Sequence, residues 1–135
     1  MKDPTGELLT AFATALASVS YNGTAWHVYK VEPPRGKRNY IYLSDIILNE
    51  DMAKDLNIFS GVITIQVSSI KDKNCRIAVN DLSNSIILAL TKVSLSMTNY
   101  TMTVSSFPVN VEIGEEDNTS NFIKRISLSF NTQEK

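Results

Sequence analysis

The sequence predicts an α+β domain: an antiparallel or mixed β-sheet with two α-helices packed on one face, in the order α-β-β-β-α-β-β, closed by a long C-terminal hairpin. Three observations carry this expectation. Phe59 to Ser68 alternates, with Gly61, Ile63, Ile65 and Val67 on one side and Val62, Thr64, Gln66 and Ser68 on the other, which is the period of a strand with one buried face. From Cys75 the period changes, and Cys75, Val79, Leu82, Ile86, Ala89 and Val93 recur at helical spacing. A strand that runs into an amphipathic helix lets the helix fold back over the sheet it has just left. Finally, Tyr100 to Phe130 holds two long alternating stretches around an acidic turn.

Taken in order, Thr5 to Ser18 is the first helix. Thr5 can cap it, and Glu7 suits the positive end of its dipole. Leu8, Leu9, Phe12, Ala15, Leu16 and Val19 form its apolar stripe, and Asn22-Gly23 is a turn signal. Trp26 to Val31 is a short extended segment with Trp26, Val28 and Val31 facing inward. Glu32 to Arg38 holds two prolines and a glycine, so it is a loop, and three of its residues are basic. Asn39 to Leu48 returns to strand. Ile41 and Leu43 share one phase and Ile46 and Leu48 the other, so a bulge belongs near Ser44-Asp45. Glu50 to Asn57 is a polar connection to the central strand. After the second helix, Ser94 to Thr98 reads as loop or short strand. Tyr100 to Ser106 alternates, Pro108 marks an edge or a bulge, and Val109, Val111 and Ile113 resume the pattern. Gly114 to Ser120 is an acidic turn; Ile126, Leu128 and Phe130 mark the last strand, and Thr132 to Lys135 a frayed tail.

The chain of 135 residues is expected to be one domain with a single core, 43% hydrophobic and 20% charged. With 13 basic and 14 acidic residues the net charge is −1, so no global field attracts nucleic acid or an anionic membrane. The longest apolar run, Ile86 to Leu90, is too short to span a bilayer. No signal-peptide pattern opens the sequence, and one cysteine, Cys75, excludes an intramolecular disulfide, so use in a cytoplasm is expected. The sequons at Asn22, Asn99 and Asn118 then read as chance matches in a chain rich in Asn, Ser and Thr.

Little in the chain carries chemistry. His27 is the single histidine and reads as structural or surface; Cys75 reads as a small buried hydrophobe at the head of the second helix. Together they cannot make a zinc site of ordinary spacing, and no Gly-rich phosphate loop is present. The carboxylates gather as Glu50, Asp51, Asp55 and as Glu115, Glu116, Asp117, both in expected loops, where solvated turns explain them better than acid–base work or cation binding. Arg35, Lys37 and Arg38 concentrate positive charge just before Tyr40 and Tyr42. A solvated loop, a protein partner, or phosphates with stacked bases would each account for them. Long strands with few like charges on their solvent side invite pairing with copies of the same chain.

The layout resembles the phage tail-completion, or tail terminator, family. The resemblance rests on Asn39-Tyr40-Ile41-Tyr42-Leu43 and on Phe59-Ser60-Gly61-Val62-Ile63-Thr64-Ile65-Gln66-Val67-Ser68, followed by a helix and a long terminal hairpin. Asn39 stands where the family often has proline, and Val67 where some relatives carry tryptophan. The resemblance implies a structural virion protein without cofactor, metal or small-molecule substrate. It would form a ring, commonly of six subunits, on the last ring of the tail tube, end tube polymerisation and offer a surface to the head-tail connector or stopper. Contact with DNA in the lumen would be passive, and assembly would occur in the host cytoplasm. The surfaces expected to meet neighbouring subunits or rings are the basic Arg35, Lys37 and Arg38, the segment Glu50, Asp51, Lys54 and Asp55, and the acidic Glu115, Glu116 and Asp117. Competing expectations are another neck or head-completion protein, a small nucleic-acid-binding module, and an enzyme with a conspicuous pocket.

Overall fold

The computed structural model describes residues 5–17, 19–21, 23–33, 39–51, 58–70, 75–90, 94–97, 100–116 and 121–134. Their elements are α1 (Thr5–Leu16), β1 (Ser20–Tyr21), β2 (Thr24–Ala25), β3 (Val28–Tyr29), β4 (Tyr40–Asp51), β5 (Ile58–Ile70), α2 (Cys75–Leu90), β6 (Ser94–Ser96), β7 (Tyr100–Glu116) and β8 (Asn121–Glu134). The strands β1 and β2 form a small hairpin of their own, and the others form one mixed sheet in the order β3-β4-β5-β8-β7-β6. The fold class is the expected α+β, with strands dominating. Among the described residues only β3 and β4 run parallel, with Val28 opposite Ile41 and Tyr29 opposite Tyr42.

The central strand follows its predicted alternation as far as Val67; Ser68, expected on the solvent side, is fully buried, and Ser69 is buried too. Ile63, Ile65 and Val67 are fully buried, Gly61 is buried beside them, and Val62, Thr64 and Gln66 are half-buried on the opposite face. Each buried Ile contributes roughly 1.5–3 kcal/mol relative to an exposed one. On β8, Ile126, Leu128 and Phe130 continue the same buried layer, since Ile126 pairs with Ile65 and Leu128 with Ile63.

Both helices cover this layer. From α1, Leu8, Phe12 and Leu16 are fully buried, and the Phe12 ring meets Phe130 edge-on at 5.6 Å between centroids. The helix stops two residues earlier than expected, where Ala17 N donates to Thr14 O and Val19 N to Leu16 O in a tightening turn. From α2, Val79, Leu82 and Ile86 are buried as expected, but Ala78, Ser83 and Leu90 complete the face while Ala89 is half-buried. The stripe is therefore rotated toward Ala78 and Leu90. Ser83 is tolerated inside it because its hydroxyl donates to the Val79 carbonyl at 2.7 Å. Polar ties hold α2 to β8: Lys124 Nζ donates to Asn80 Oδ1 at 3.1 Å, and the Arg76 guanidinium lies 5.5 Å from the Phe122 ring centroid.

Two predicted irregularities are present. The β4–β5 register shifts between Leu43 and Asp45, so Ile41, Leu43, Ile46 and Leu48 all share the face of Val67, Ile65, Ile63 and Gly61. Ser44 at the shift donates to the Thr64 carbonyl at 3.1 Å. The second is Pro108, around which the β7–β8 register breaks on both sides. Three expectations are corrected. Val31 is 72% exposed, because β3 ends at Tyr29. The chain at 132–134 is strand rather than frayed tail: Thr132 pairs with Phe59 and Met102 and is fully buried. The acidic turn is shorter than Gly114 to Ser120, since β7 runs through Glu116.

Candidate functional site

The sequence-predicted contact residues fall into two groups. Arg35, Lys37, Arg38, Lys54, Asp55 and Asp117 lie outside the described residues. The remaining four lie in strands, not in loops as expected. Glu50 and Asp51 end β4 opposite Phe59 and Ile58, and Glu115 and Glu116 end β7 opposite Ile123 and Phe122. The long ladder that each strand makes with its one partner there, β5 or β8, outweighs the low strand propensity of these acids, and edge strands tolerate charge.

The two acidic pairs are not brought together. Glu50 is level with Phe59, whereas Glu116 is level with Phe122 and hence with Ser69, ten positions further along β5. At about 3.3 Å per residue that is roughly 33 Å, too far for shared acid–base or cation chemistry. They mark opposite ends of the sheet. Among the described residues no three His, Cys, Asp or Glu side chains gather as a metal ion would require. No described helix is long and apolar enough to cross a membrane.

What the sheet does assemble is a row of aromatic rings. His27 and Tyr29 stand on alternate positions, with ring centroids 4.3 Å apart, and Tyr29 meets Tyr40 at 6.1 Å. The row spans β3 and β4, held by the Ile41 N–H donating to the His27 carbonyl at 3.0 Å. Sequence reasoning missed it because the parallel β3–β4 pairing is non-local. The available signal was aromatic residues two apart in both segments, at 27 and 29 and at 40 and 42. Further along the sheet Thr64 Oγ1 and Ser127 Oγ stand 3.3 Å apart across β5 and β8. Among the described residues the large apolar side chains left exposed are dispersed: Val31 after β3, Ile47 on β4, and Ile77 and Leu88 on α2. Such a surface offers contact area and hydrogen bonds.

No protein-family model matches the sequence, and no curated protein matches it either. Solved structures do share the fold. One is a chain of the virion of a native gene transfer agent particle, with a TM-score of 0.73, 17% identity, and 99% of this chain and 98% of that one covered. A second solved chain gives a TM-score of 0.67 at 14% identity, covering 96% of this chain and 94% of that one. The likeness therefore extends over essentially the whole chain, and what it shows is a common fold.

Proposed function

We propose that this protein is a structural component of a bacteriophage or phage-like virion: a tail terminator that forms a ring, commonly of six copies, on the end of the tail tube. The ring ends tube polymerisation on one face and offers the other to the head-tail connector or stopper. The observation that carries this reading is the end-to-end fold likeness to a virion chain. The tail-terminator resemblance of the β4, β5 and terminal-hairpin sequences points the same way. The reading also agrees with a surface of aromatic and hydroxyl groups without a catalytic arrangement among the described residues. The work done is geometric, not chemical: no substrate, cofactor or metal is needed, and DNA passing through the lumen is met passively. Arg35, Lys37 and Arg38, together with Glu50, Asp51, Lys54, Asp55, Glu115, Glu116 and Asp117, set register and association rate at the contacts between copies and flanking rings.

The test is the mass of the purified protein across concentration, with and without assembled tail tubes, alongside electron microscopy of tube ends. A closed ring, or density capping tube ends together with shorter tubes, supports the reading. A monomer that ignores tubes overturns it. Binding to head connectors without tubes would transfer the protein to the neck or head-completion class.

A further inference from the structure

The two edges of the main sheet are staggered in opposite senses. At the level of Asn49 the paired residues run Asn49, Ser60, Asn131, Thr103, Ser94, from β4 to β6. At the level of Tyr29 they run Tyr29, Tyr42, Gln66, Arg125, Glu112, from β3 to β7. The sheet is five strands wide at both levels, but it has moved over by one strand. On one edge β3 projects at one end, and the β4 backbone from Asp45 to Asp51 has no outer partner among the described residues at the other. On the opposite edge β6 projects where β4 is bare, and β7 around Glu112 has no outer partner among the described residues where β3 projects. Each projection is thus level with a recess on the far edge. The two levels are six positions apart along β5, from Ser60 to Gln66, or about 20 Å.

We propose that copies of this chain join side by side through a lapped sheet, β6 of one copy seated against β4 of the next and β3 of that next copy against β7 of the first. Strand directions fix the pairing: β6 lies parallel to β4, and β3 antiparallel to β7. Charge excludes the other pairings. The bare stretch of β7 holds Glu112, Glu115 and Glu116 and that of β4 holds Asp45, Glu50 and Asp51, whereas β3 (Val28–Tyr29) and β6 (Ser94–Ser96) hold no charged residue. Pairing β4 with β4, or β7 with β7, would set acid against acid, which is unfavourable across strands. The contact is therefore head-to-tail, the kind that closes into a ring when its rotation allows. Pro108, which cannot donate to a ladder, pairs with Leu128 and so lies between the two laps rather than in either.

This inference gives the joint for the ring proposed above, yet it stands on the sheet alone, and the test separates the two. In a Cys75→Ser background, the pairs Asn49→Cys with Ser94→Cys, and Tyr29→Cys with Glu112→Cys, are oxidised and resolved without reductant, beside native mass spectrometry of the unoxidised protein. Within one chain each pair is four strand spacings apart, about 19 Å, beyond the reach of a disulfide, so every bond formed is between copies. The expected result is a ladder of whole-number multiples for both level pairs, and none for the offset pair Asn49→Cys with Glu112→Cys. A ladder ending at one closed size supports joint and ring together. An unlimited ladder supports the joint and overturns the ring. A closed oligomer whose level pairs do not cross-link overturns the joint alone. A monomer at every concentration, with assembled tail tubes present as without them, and no ladder overturns both.

Discussion

Replacing Gly61 by alanine isolates how tightly the sheet is packed on its helix-covered face. A Cβ built there would lie 2.6 Å from the Ile47 carbonyl oxygen, 2.7 Å from Cζ of Phe130 and 3.0 Å from a methyl of Leu48. The first of these is backbone in a paired strand, so it cannot swing aside, and Phe130 is itself wedged against Phe12. Overfilling a close-packed site costs about 1–3 kcal/mol. The entropy advantage of Ala over Gly in the unfolded chain returns only about 0.4–1 kcal/mol. The expected net effect is destabilisation by about 1–2 kcal/mol, or roughly 3–8 °C in Tm for a domain of this size. Urea unfolding followed by circular dichroism measures it, with the m-value as a check that the unfolded state is unchanged. If the Phe130 ring were the main obstacle, Gly61→Ala combined with Phe130→Leu would cost less than the two changes added together. Equal or greater stability in Gly61→Ala alone would refute the reasoning, because it would mean that β4 and β5 separate at no cost.

Further predictions concern single side chains and the charged segments. Thr132 is fully buried and its Oγ1 has no hydrogen-bond partner among the described residues, so Thr132→Val should raise stability by about 1 kcal/mol in the same unfolding assay. Phe12→Ala should cost about 3–5 kcal/mol, because it opens a cavity between α1 and β8. Gly23 has φ of 79°, so Gly23→Ala should cost about 1 kcal/mol although nothing lies within 4 Å of the new methyl. Reversing Arg35, Lys37 and Arg38 to Glu should leave thermal stability within about 0.5 kcal/mol while slowing assembly at low salt. Unchanged ring formation and head joining would remove those residues from the contact.

The layers of the fold were legible wherever a period was unbroken. Ile63, Ile65 and Val67, like Ile126, Leu128 and Phe130, are buried as their alternation requires, and the slip in phase between Leu43 and Ile46 marks the bulge. Pairings were legible only where they were local. The parallel contact of β3 with β4 joins segments more than ten residues apart, and its one trace in the sequence is the matching pair of aromatic residues two apart, at 27 and 29 and at 40 and 42. The rotated face of α2 has a similar cause. Helical spacing admits Ala89 or Leu90 equally, and the position of β5 beneath the helix decides between them. The acidic residues misled for a physical reason: low strand propensity suggested loops at Glu50-Asp51 and Glu115-Glu116, but ladders begun by the apolar residues before them run on to the strand ends. The candidate contact surfaces were legible as charge, not as geometry, because the chain's order does not reveal which strands end up level.

The extra residue in β4 has a consequence for how this sequence can change over time. Because Ser44 absorbs the slip between Leu43 and Asp45, the strand's second half is in frame only while that one residue is present. Deleting it, or inserting one residue between Asp45 and Leu48, would turn Ile46 and Leu48 outward and bring Asp45 and Ile47 under the helices. A two-residue change in the same stretch would restore the phase. Length variation in this strand should therefore come in even steps or not at all.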